Sequence, residues 1–301
     1  MKKEHLLIFG GTGFIGTHLA KIALKKGWKI TSVSKKKPIT NRIVPGVNYL
    51  FLDITNYKNL KKKINGNFTH IVNLSGYANN NYNSSKACLN AHFIGTVNIV
   101  KRFLKNKKIK KFIHAGSSSE YGNIAGPQKE NDICNPNNYY GKSKLITTKY
   151  LQLINKKYKF PVTILRFFSV YGPLQSLDRA IPQIINGCLS GKKFKVTKGI
   201  QLRDFSYIED IVNVILKSLK ANNINGKVIN VGSGKPIKVK NIVEMIKKIT
   251  GKGKPQFGKI KYSKFDNMRL FPSIKMAKKY LDLKNNFPLK RGIEITIKSF
   301  L

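Results

Sequence analysis

Cysteine is scarce in this 301-residue chain. Its three cysteines, Cys88, Cys134 and Cys188, are odd in number, widely spaced and outside any Cys-x-x-Cys pattern. A disulfide framework needs paired cysteines, and a zinc site needs clustered cysteine or histidine ligands. Because the five histidines are scattered as well, the sequence predicts neither a disulfide framework nor a metal site.

Acidic residues are also few. The chain has 13 Asp and Glu against 57 Lys and Arg, which gives a formal net charge of +44 at pH 7. Such a surplus is typical of a surface that binds nucleic acid or anionic membranes, or of a basic surface that attracts phosphorylated substrates. The lysines are spread through every segment and form no basic tail. Nucleic acid is therefore the less favoured partner, and a nucleic-acid-binding protein is kept as a remote alternative.

Long apolar runs are absent too. No stretch reaches the length of about 18 apolar residues that a membrane-spanning helix requires, and the run from Leu6 to Phe9 breaks at once into glycines. With 41% hydrophobic residues, the chain is still long enough to bury a substantial core. These features predict a globular, cytoplasmic protein without a membrane span.

The first thirty residues follow the pattern strand, turn, helix, strand. The apolar run at 6–9 is typical of a strand covered on both faces, and a helical pattern begins near residue 14. A glycine-rich turn between a strand and a helix lets backbone N–H groups approach a pyrophosphate. The sequence therefore predicts a dinucleotide site that includes Gly10, Gly13, Phe14, Ile15 and Gly16.

Strands and helices continue to alternate along the chain. The patterns predict strands at 6–9, 29–33, 47–52, 69–74, 111–116, 161–166 and 228–231, helices at 14–26, 55–64, 84–105, 139–158, 179–189, 208–219, 239–249, 274–281 and 289–299, and a hairpin-like segment at 194–202. This alternation predicts an α/β fold with a doubly wound parallel Rossmann sheet. We expect a Rossmann NAD(P)-binding domain over 1–170, to which 205–231 returns, and a smaller C-terminal α/β substrate-binding lobe over 171–301.

The end of the second predicted strand bears on which dinucleotide is bound. An Asp or Glu there would hold a ribose 2′-hydroxyl, whereas basic residues would accommodate a 2′-phosphate. The chain has Ser34 followed by Lys35, Lys36 and Lys37, without a carboxylate, so NADP is favoured over NAD. Later strand ends place Asp53 and Ile54 near the adenine, and Leu74, Ser75 and Gly76 near a cofactor ribose.

Tyr140 and Lys144 lie four residues apart in the predicted helix 139–158, so they share one helix face. Other tyrosine and lysine residues have the same spacing, but only this pair follows a strand that delivers a hydroxyl group, Ser117. A tyrosine normally titrates near pH 10, and a neighbouring ammonium together with an oxidised nicotinamide would favour its phenolate. The three residues therefore predict a proton-transfer site.

Together these motifs resemble those of the extended short-chain dehydrogenase/reductases, in the branch of NAD(P)-dependent sugar-nucleotide epimerases, dehydratases and reductases. The resemblance also rests on Ser-Ser-Ser-Glu-Tyr-Gly at 117–122, Arg-Phe-Phe-Ser-Val-Tyr-Gly-Pro at 166–173, Arg-Asp-Phe at 203–205 and Asn-Val-Gly-Ser-Gly at 230–234. It implies that Tyr140 is the acid/base, that Lys144 holds the nicotinamide ribose, and that Ser117 hydrogen-bonds the reacting oxygen. It further implies a cofactor contact from Phe167 and a homodimer packed through the helices at 84–105 and 139–158.

The residues after Ser117 distinguish the reactions of this family. Its dehydratases resemble each other in an acidic pair directly after the serine, where this chain has Ser118 and Ser119, and Glu120 comes one residue late. Dehydration is therefore disfavoured. Because the lysines after Ser34 favour NADPH, the expected reaction is the reduction of a 4-keto-6-deoxy sugar nucleotide in surface-polysaccharide sugar biosynthesis. An NAD-dependent nucleotide-sugar 4-epimerase is the alternative.

The resemblance also implies contacts with a nucleotide-diphosphate sugar. Arg203 matches the diphosphate-binding arginine of the family, and Arg269 lies where a second one is often found. Two guanidinium groups suit a diphosphate because each can form paired, charge-assisted hydrogen bonds. Ser118 and Ser119 are expected beside the sugar, and Ser169 stands where the family usually has asparagine.

Overall fold

The computed structural model describes residues 4–76, 84–263, 265–284 and 287–301. Its strands are β1 (His5–Phe9), β2 (Lys29–Ser34), β3 (Asn48–Phe51), β4 (His70–Asn73), β5 (Lys111–Ser117), β6 (Val162–Phe167), β7 (Ser169–Tyr171), β8 (Lys193–Lys195), β9 (Leu202–Arg203), β10 (Phe205–Tyr207), β11 (Val228–Val231), β12 (Ile237–Lys238), β13 (Lys254–Gln256) and β14 (Arg269–Leu270). Its α-helices are α1 (Phe14–Lys25), α2 (Tyr57–Lys63), α3 (Ser85–Leu89), α4 (Gly95–Phe103), α5 (Tyr139–Tyr158), α6 (Ala180–Leu189), α7 (Ile208–Lys220), α8 (Val239–Thr250), α9 (Lys275–Leu281) and α10 (Leu289–Lys298).

Seven strands form one parallel sheet in the order β11-β6-β5-β4-β1-β2-β3. The chain moves outward from β1 in one direction and then returns to β4 on the other side of β1. That reversal opens a crevice at the carboxyl ends of β1 and β4, where ligands bind in sheets of this kind. The predicted α/β class and doubly wound parallel sheet are confirmed.

The sheet is buried on both faces because its strands are nearly continuous apolar runs. Leu6 and Ile8 of β1 belong to the core beneath α1 and α7, whereas Leu7 and Phe9 belong to the core beneath α2, α4 and α5. Alternate residues of a strand point to opposite faces, so one short strand contributes to both cores. This double packing holds the strand ends, and the side chains that follow them, in fixed positions.

The predicted hairpin at 194–202 is wrong. β8 pairs in parallel with β13, whereas β9 pairs with β12 and β14 in a separate small sheet. Gly199, between them, has a φ of +73°, in the left-handed region, and its carbonyl accepts the backbone N–H of Lys240. β8 and β9 therefore belong to two different sheets. The alternating apolar pattern of the segment comes from these two separate strands and not from a hairpin.

The predicted helix at 84–105 contains a π turn at Asn90–Ile94, between α3 and α4. The division into lobes over 1–170 and 171–301 stays a prediction, although β11 does lie beside β6 in the main sheet. In the described part of the chain, no helix is both long and apolar enough to cross a membrane. The same residues contain no group of three or more histidine, cysteine or acidic side chains suited to a metal ion.

Candidate functional site

The glycine turn lies against the end of β4. Gly10 has a φ of +79°, and a Cβ atom on it would lie 2.8 Å from the carbonyl carbon of Leu74. A Cβ on Gly16 would lie 2.4 Å from the Gly10 carbonyl oxygen. Gly13, Phe14 and Ile15 begin α1, and among the described residues no side chain caps that helix start. The turn thus leaves backbone N–H groups of α1 facing the crevice, which fits a pyrophosphate.

Ser34, Lys35 and Asp53 meet at the carboxyl ends of β2 and β3. Ser34 Oγ accepts the backbone N–H of Thr12 at 3.3 Å, and Lys35 Nζ lies 2.7 Å from Asp53 Oδ2. Burial alone would raise the pKa of Asp53, but the hydrogen bond from Lys35 and those from Thr55 lower it below its usual value. An anionic Asp53 is therefore held by Lys35 next to the predicted adenosine site.

The neighbouring side chains at this edge are arranged differently. Lys36 is exposed, so its ammonium group faces solvent beside Lys35. Ile54 packs closely on α4, because a Cβ on Gly95 would lie 2.4 Å from Ile54 Cδ1. The main-chain oxygen of Ile54 accepts a hydrogen bond from Asn98 Nδ2 at 2.9 Å. The segment after β3 is thereby anchored to α4.

Leu74, Ser75 and Gly76 follow β4 and approach Lys144. The backbone N–H of Leu74 donates to Phe9, and both the N–H and the hydroxyl of Ser75 donate to Asn73 Oδ1. A Cβ on Gly76 would lie 2.8 Å from His92 Nε2 and 3.7 Å from Lys144 Nζ. The predicted ribose segment and the predicted catalytic lysine are therefore neighbours.

The first turn of α5 carries Tyr140 and Lys144. Asn138 caps this helix by accepting the Gly141 backbone N–H at 2.8 Å. Lys144 is 5% exposed, donates from Nζ to the Ala115 carbonyl at 2.9 Å, and lies 6.0 Å from the centroid of the Tyr140 ring. Burial lowers the pKa of Lys144 to about 8, with a small opposing effect from Glu120. This ammonium is poised to lose its proton much more easily than an exposed lysine.

Ser117 ends β5 in the turn that touches the start of α5. Its hydroxyl accepts the Ser119 backbone N–H at 3.2 Å, and its own N–H donates to Glu120 Oε1 at 2.8 Å. A Cβ on Gly141 would lie 2.4 Å from the Ser119 carbonyl oxygen, so the turn and α5 are in close contact. Ser118 is 8% exposed and Ser119 is half-buried. Phe167 lies directly opposite Ser117, on β6.

The Glu120 side chain is directed toward Arg166 on β6. Its carboxylate is fully buried, and Oε2 lies 2.9 Å from both Nε and Nη2 of Arg166. One carboxylate oxygen thus accepts the backbone N–H of Ser117, and the other is paired with Arg166 on β6. Glu120 is therefore committed to contacts within the fold, and the prediction that dehydration is disfavoured stays a prediction.

The predicted substrate residues lie on the short strands of the second half of the chain. Ser169 begins β7, and its backbone N–H donates to Asp204. Arg203 on β9 donates from Nη1 to the carbonyls of Leu202 and Asn267. Arg269 on β14 is exposed and lies opposite Leu202 in the pairing. Because partners in register share a face, Arg203 and Arg269 extend from opposite faces of this small sheet.

Sequence reasoning missed several buried polar residues beneath the site. His92, Thr96 and His114 are at most 1% exposed, and Ser143 is 4% exposed. The His92 ring packs edge-on against the Tyr140 ring, with the centroids 5.1 Å apart. The signal that could have located them was the presence of polar side chains on apolar faces of predicted elements, since such groups need hydrogen-bond partners.

Comparison with known proteins identifies the family of this arrangement. The model of the NAD-dependent epimerase/dehydratase family matches residues 6–232. The chain belongs to this family. It is an enzyme of the extended short-chain dehydrogenase/reductases, so the predicted family and enzyme class are confirmed.

Two curated relatives extend over nearly the whole chain. The UDP-glucuronate 4-epimerase of Thermodesulfobacterium geofontis is 26% identical over 97% of this chain and 95% of the relative. The UDP-N-acetyl-alpha-D-glucosaminuronate decarboxylase of Bacillus cytotoxicus is 27% identical over 99% of this chain and 98% of the relative. Over nearly its whole length, the chain is therefore similar to proteins whose names denote different reactions.

Solved structures show the same fold. The UDP-glucuronic acid 4-epimerase of Bacillus cereus, in complex with UDP-glucuronic acid and NAD, matches with a TM-score of 0.88 and 26% identity over 98% of both chains. The UDP-glucose 4-epimerase of Thermotoga maritima with UDP-glucose matches with a TM-score of 0.92 and 22% identity over 98% of both chains. At that lower identity the match supports the fold alone.

Proposed function

We propose that this family member is an NAD(P)-dependent oxidoreductase that acts on a nucleotide-diphosphate sugar, and that it reduces a 4-keto sugar nucleotide with NADPH. The observation that carries the proposal is the convergence of Lys144, the Gly76 backbone and the start of α5 beside the Ser117 turn. A nicotinamide ribose would lie beside the Gly76 segment and Lys144, and the missing side chain of Gly76 lets the His92 ring pack against the backbone there. The glycine turn at the start of α1 fits the pyrophosphate.

The residues of the site divide the reaction between them. A dinucleotide bound here would supply or accept the hydride at C4 of the sugar. Ser117 holds the oxygen at C4 by a hydrogen bond, and Tyr140 donates the proton to that oxygen as it gains negative charge. Lys144 is buried, and its positive charge stabilises the phenolate that Tyr140 becomes. Reversal of the same steps oxidises a hydroxyl group, so this set of residues serves reductases and epimerases alike.

The substrate contacts extend this proposal to the rest of the site. We place Ser118, Ser119 and Ser169 beside the sugar and assign Arg203 to the diphosphate, since Arg203 is partly buried and already fixed by two main-chain carbonyls. Arg269 would reach the same diphosphate only around the edge of the small sheet. Arg203 is therefore the stronger of the two assignments.

The end of β2 supports NADPH as the reductant. Ser34 and the three lysines after it offer no carboxylate to a ribose 2′-hydroxyl, and Lys36 is exposed beside the Lys35–Asp53 ion pair. A 2′-phosphate would gain a charge-assisted contact there. The buried Glu120 also supports hydride transfer without elimination, because its carboxylate is committed to Arg166.

The 4-epimerase is the second candidate, and the relatives favour it. One full-length relative and the solved structure at 26% identity carry the name of a 4-epimerase. An epimerase returns the hydride to the same sugar and so keeps its NAD, whereas a reductase consumes NADPH. The two candidates therefore differ in what the purified protein contains and consumes.

Two measurements on the purified protein separate these candidates. One identifies the dinucleotide released on denaturation, and the other follows the absorbance of NADPH in the presence of nucleotide-linked 4-keto-6-deoxy sugars. We expect stoichiometric NADPH oxidation and little retained NAD. Retained NAD, together with the interconversion of UDP-hexoses without added cofactor, would overturn reduction in favour of epimerisation.

A homodimer is part of the proposal. Leu89 and Ile94 on one helical segment and Ile146 and Leu153 on α5 are 39%, 37%, 48% and 64% exposed. Phe93 and Tyr150 join the two helical surfaces through a ring contact at 5.6 Å. A second copy of the chain would cover this apolar face by presenting the same face in return.

A further inference from the structure

A continuous chain of buried hydrogen bonds connects the end of β4 with the start of α5. Asn73 Nδ2 donates to Thr96 Oγ1 at 3.0 Å, and Thr96 Oγ1 donates to the His92 carbonyl at 2.6 Å. His92 Nδ1 lies 2.7 Å from Ser143 Oγ, which donates to the Tyr140 carbonyl at 2.8 Å. We call this set the buried hydrogen-bond chain, with the members Asn73, Thr96, His92, Ser143 and Tyr140.

The direction of these bonds determines the proton positions of two histidines. Asn73 Oδ1 already accepts from Ser75, so its Nδ2 is the donor to Thr96 and to His114 Nδ1, which lies 3.2 Å away. His114 must then carry its proton on Nε2. Ser143 has one hydroxyl proton and donates it to Tyr140, so His92 must donate from Nδ1. The two buried imidazoles therefore have opposite tautomers.

The pKa of His114 agrees with this pattern. Burial lowers it well below 6.5, and the charges of Lys144 and His92 lower it further. His114 consequently stays neutral and remains able to accept from Asn73. Because a charged imidazole has no acceptor nitrogen, protonation would break this contact.

The π turn places the His92 ring against Tyr140 and near Lys144. One edge of its ring packs against Tyr140, and its Nε2 shares with Lys144 Nζ the space above Gly76. A π turn interrupts the regular hydrogen bonds of a helix, and such turns often occur at functional sites. Here the Thr96 hydroxyl bonds the His92 carbonyl, which keeps the turn and its histidine in place.

We propose that the buried hydrogen-bond chain positions Tyr140 relative to the cofactor, with His92 as the positioning residue. Ser75 holds one end of the chain beside the expected ribose, and the other end is the backbone of Tyr140. The proposal rests on the proposed function, because it assigns Tyr140 the proton transfer. Its physical basis is that a displacement of 1 Å in a reacting group can lower a rate by about a hundredfold.

Threonine variants test the proposal with a matched control. Thr96 and Thr296 are both fully buried, and each donates to the carbonyl four residues earlier at 2.6 Å. Of the two, Thr96 alone also accepts a hydrogen bond from Asn73 Nδ2. We expect Thr96→Val to lower kcat about tenfold with KM for the cofactor changed less than about threefold, and Thr296→Val to leave both near wild type. Equal kcat values for the two variants would overturn the proposal.

Variants of His92 distinguish the effect of its Nδ1 hydrogen bond from the effect of its ring volume. The amide nitrogen of asparagine can replace His92 Nδ1, whereas leucine cannot donate. We expect His92→Asn to recover most of the kcat that His92→Leu loses. If both variants are impaired equally, the Nδ1 bond does not position Tyr140. Ser143→Ala, which removes the acceptor while favouring the helix, provides the same test if the Thr96 or His92 variants fail to fold.

A spectroscopic measurement is independent of the substrate. Two-bond proton–nitrogen correlation spectra of the cofactor-bound protein distinguish the tautomers of its histidine rings. We expect a proton on Nδ1 of His92 and on Nε2 of His114, and the His92→Asn variant assigns the first signal. A His92 signal with the proton on Nε2 would overturn the chain of bonds. Absence of turnover on every sugar nucleotide, with these tautomers present, would instead count against the proposed function.

Discussion

Glu120 and Arg166 form an ion pair inside the protein that holds the end of β5, which carries Ser117, in place. Both side chains are almost fully buried, and one Glu120 oxygen lies 2.9 Å from two guanidinium nitrogens. Burial alone would lower the pKa of Arg166, but the charge of Glu120 raises it above its usual value. The other carboxylate oxygen accepts the backbone N–H of Ser117. The position of Ser117 therefore depends on a buried charge pair.

Neutralising one member of this pair should destabilise the protein. Glu120→Gln keeps the shape but leaves the Arg166 charge buried and unpaired, which costs about 3–5 kcal/mol in comparable cases. We expect the free energy of unfolding in urea to fall by that amount. The control is Asp282→Asn, which removes the exposed pair with Lys217 at 3.0 Å and should destabilise the protein far less, because exposed ion pairs contribute little. Similar losses in the two variants would contradict the structural importance of the buried pair.

Removal of the Tyr140 hydroxyl should abolish proton transfer and leave the cofactor bound. We expect Tyr140→Phe to lower kcat by about 10²- to 10⁴-fold, the usual contribution of a general acid or base, with little change in the dissociation constant of the dinucleotide. Tyr139→Phe is the control, because Tyr139 is 48% exposed and precedes Tyr140 in the same helix. Turnover is measured with sugar nucleotide, and binding by fluorescence titration. Full activity of Tyr140→Phe would contradict the mechanism.

Much of the fold and part of the site could be predicted because their signals are local. The run at 6–9, the glycines after it and the Tyr140/Lys144 spacing each act within a few residues of the chain. The offset of Glu120 from Ser117 was enough to disfavour it as an elimination acid. Its partner Arg166, by contrast, lies on the neighbouring strand, and strand pairing is not visible in a single sequence.

The features that could not be predicted depend on long-range pairing or on small irregularities. The segment at 194–202 has the alternation of a hairpin, but its strands pair with residues much later in the chain. Apolar periodicity over 84–105 indicates a helix correctly, yet it does not report the extra residue of the π turn at Asn90–Ile94. His92 has its position because of that turn. The buried hydrogen-bond chain was therefore beyond sequence reasoning, although each of its residues is polar.

Lys36 should influence the choice between NADPH and NADH. Lys35 is paired with Asp53, so Lys36 is the neighbouring cation that a 2′-phosphate can recruit. Loss of one charge-assisted contact corresponds to about a tenfold change in affinity. We expect Lys36→Ala to raise the dissociation constant of NADPH by this factor and to leave that of NADH unchanged. Lys58→Ala, on the exposed side of α2, is the control. An equal effect on both dinucleotides would contradict a 2′-phosphate site at this position.

A charge on the apolar face of α5 should prevent dimer formation. We expect Leu153→Glu to shift the sedimentation coefficient from that of a dimer to that of a monomer, because a buried carboxylate without a partner is costly. Leu177→Glu is the matched control, since Leu177 is 63% exposed and Leu153 is 64% exposed. A monomeric wild type, or a dimer that tolerates Leu153→Glu, would show that this face has another role.

Lys144 should reduce stability while it supports catalysis, and the effect should depend on pH. Burial lowers its pKa from 10.5 to about 8, which at 1.36 kcal/mol per unit corresponds to a cost of about 3 kcal/mol. Lys144→Met removes this cost but loses the hydrogen bond to Ala115, worth about 1 kcal/mol. At pH 7 the variant should therefore be more stable than wild type by about 2 kcal/mol, although inactive.

The sign of the pH dependence follows from the protons bound in each state. Between pH 8 and 10.5 the unfolded wild type retains the Lys144 proton, whereas the folded protein has lost it, so wild-type stability rises with pH over this range. The advantage of Lys144→Met should therefore be full below pH 8 and disappear by about pH 11. Lys142→Met, at an exposed position of the same helix turn, is the control and should show no such trend. The measurement is urea unfolding at pH 7, 9 and 10.5, and an advantage that does not change with pH would show that the buried ammonium is not its source.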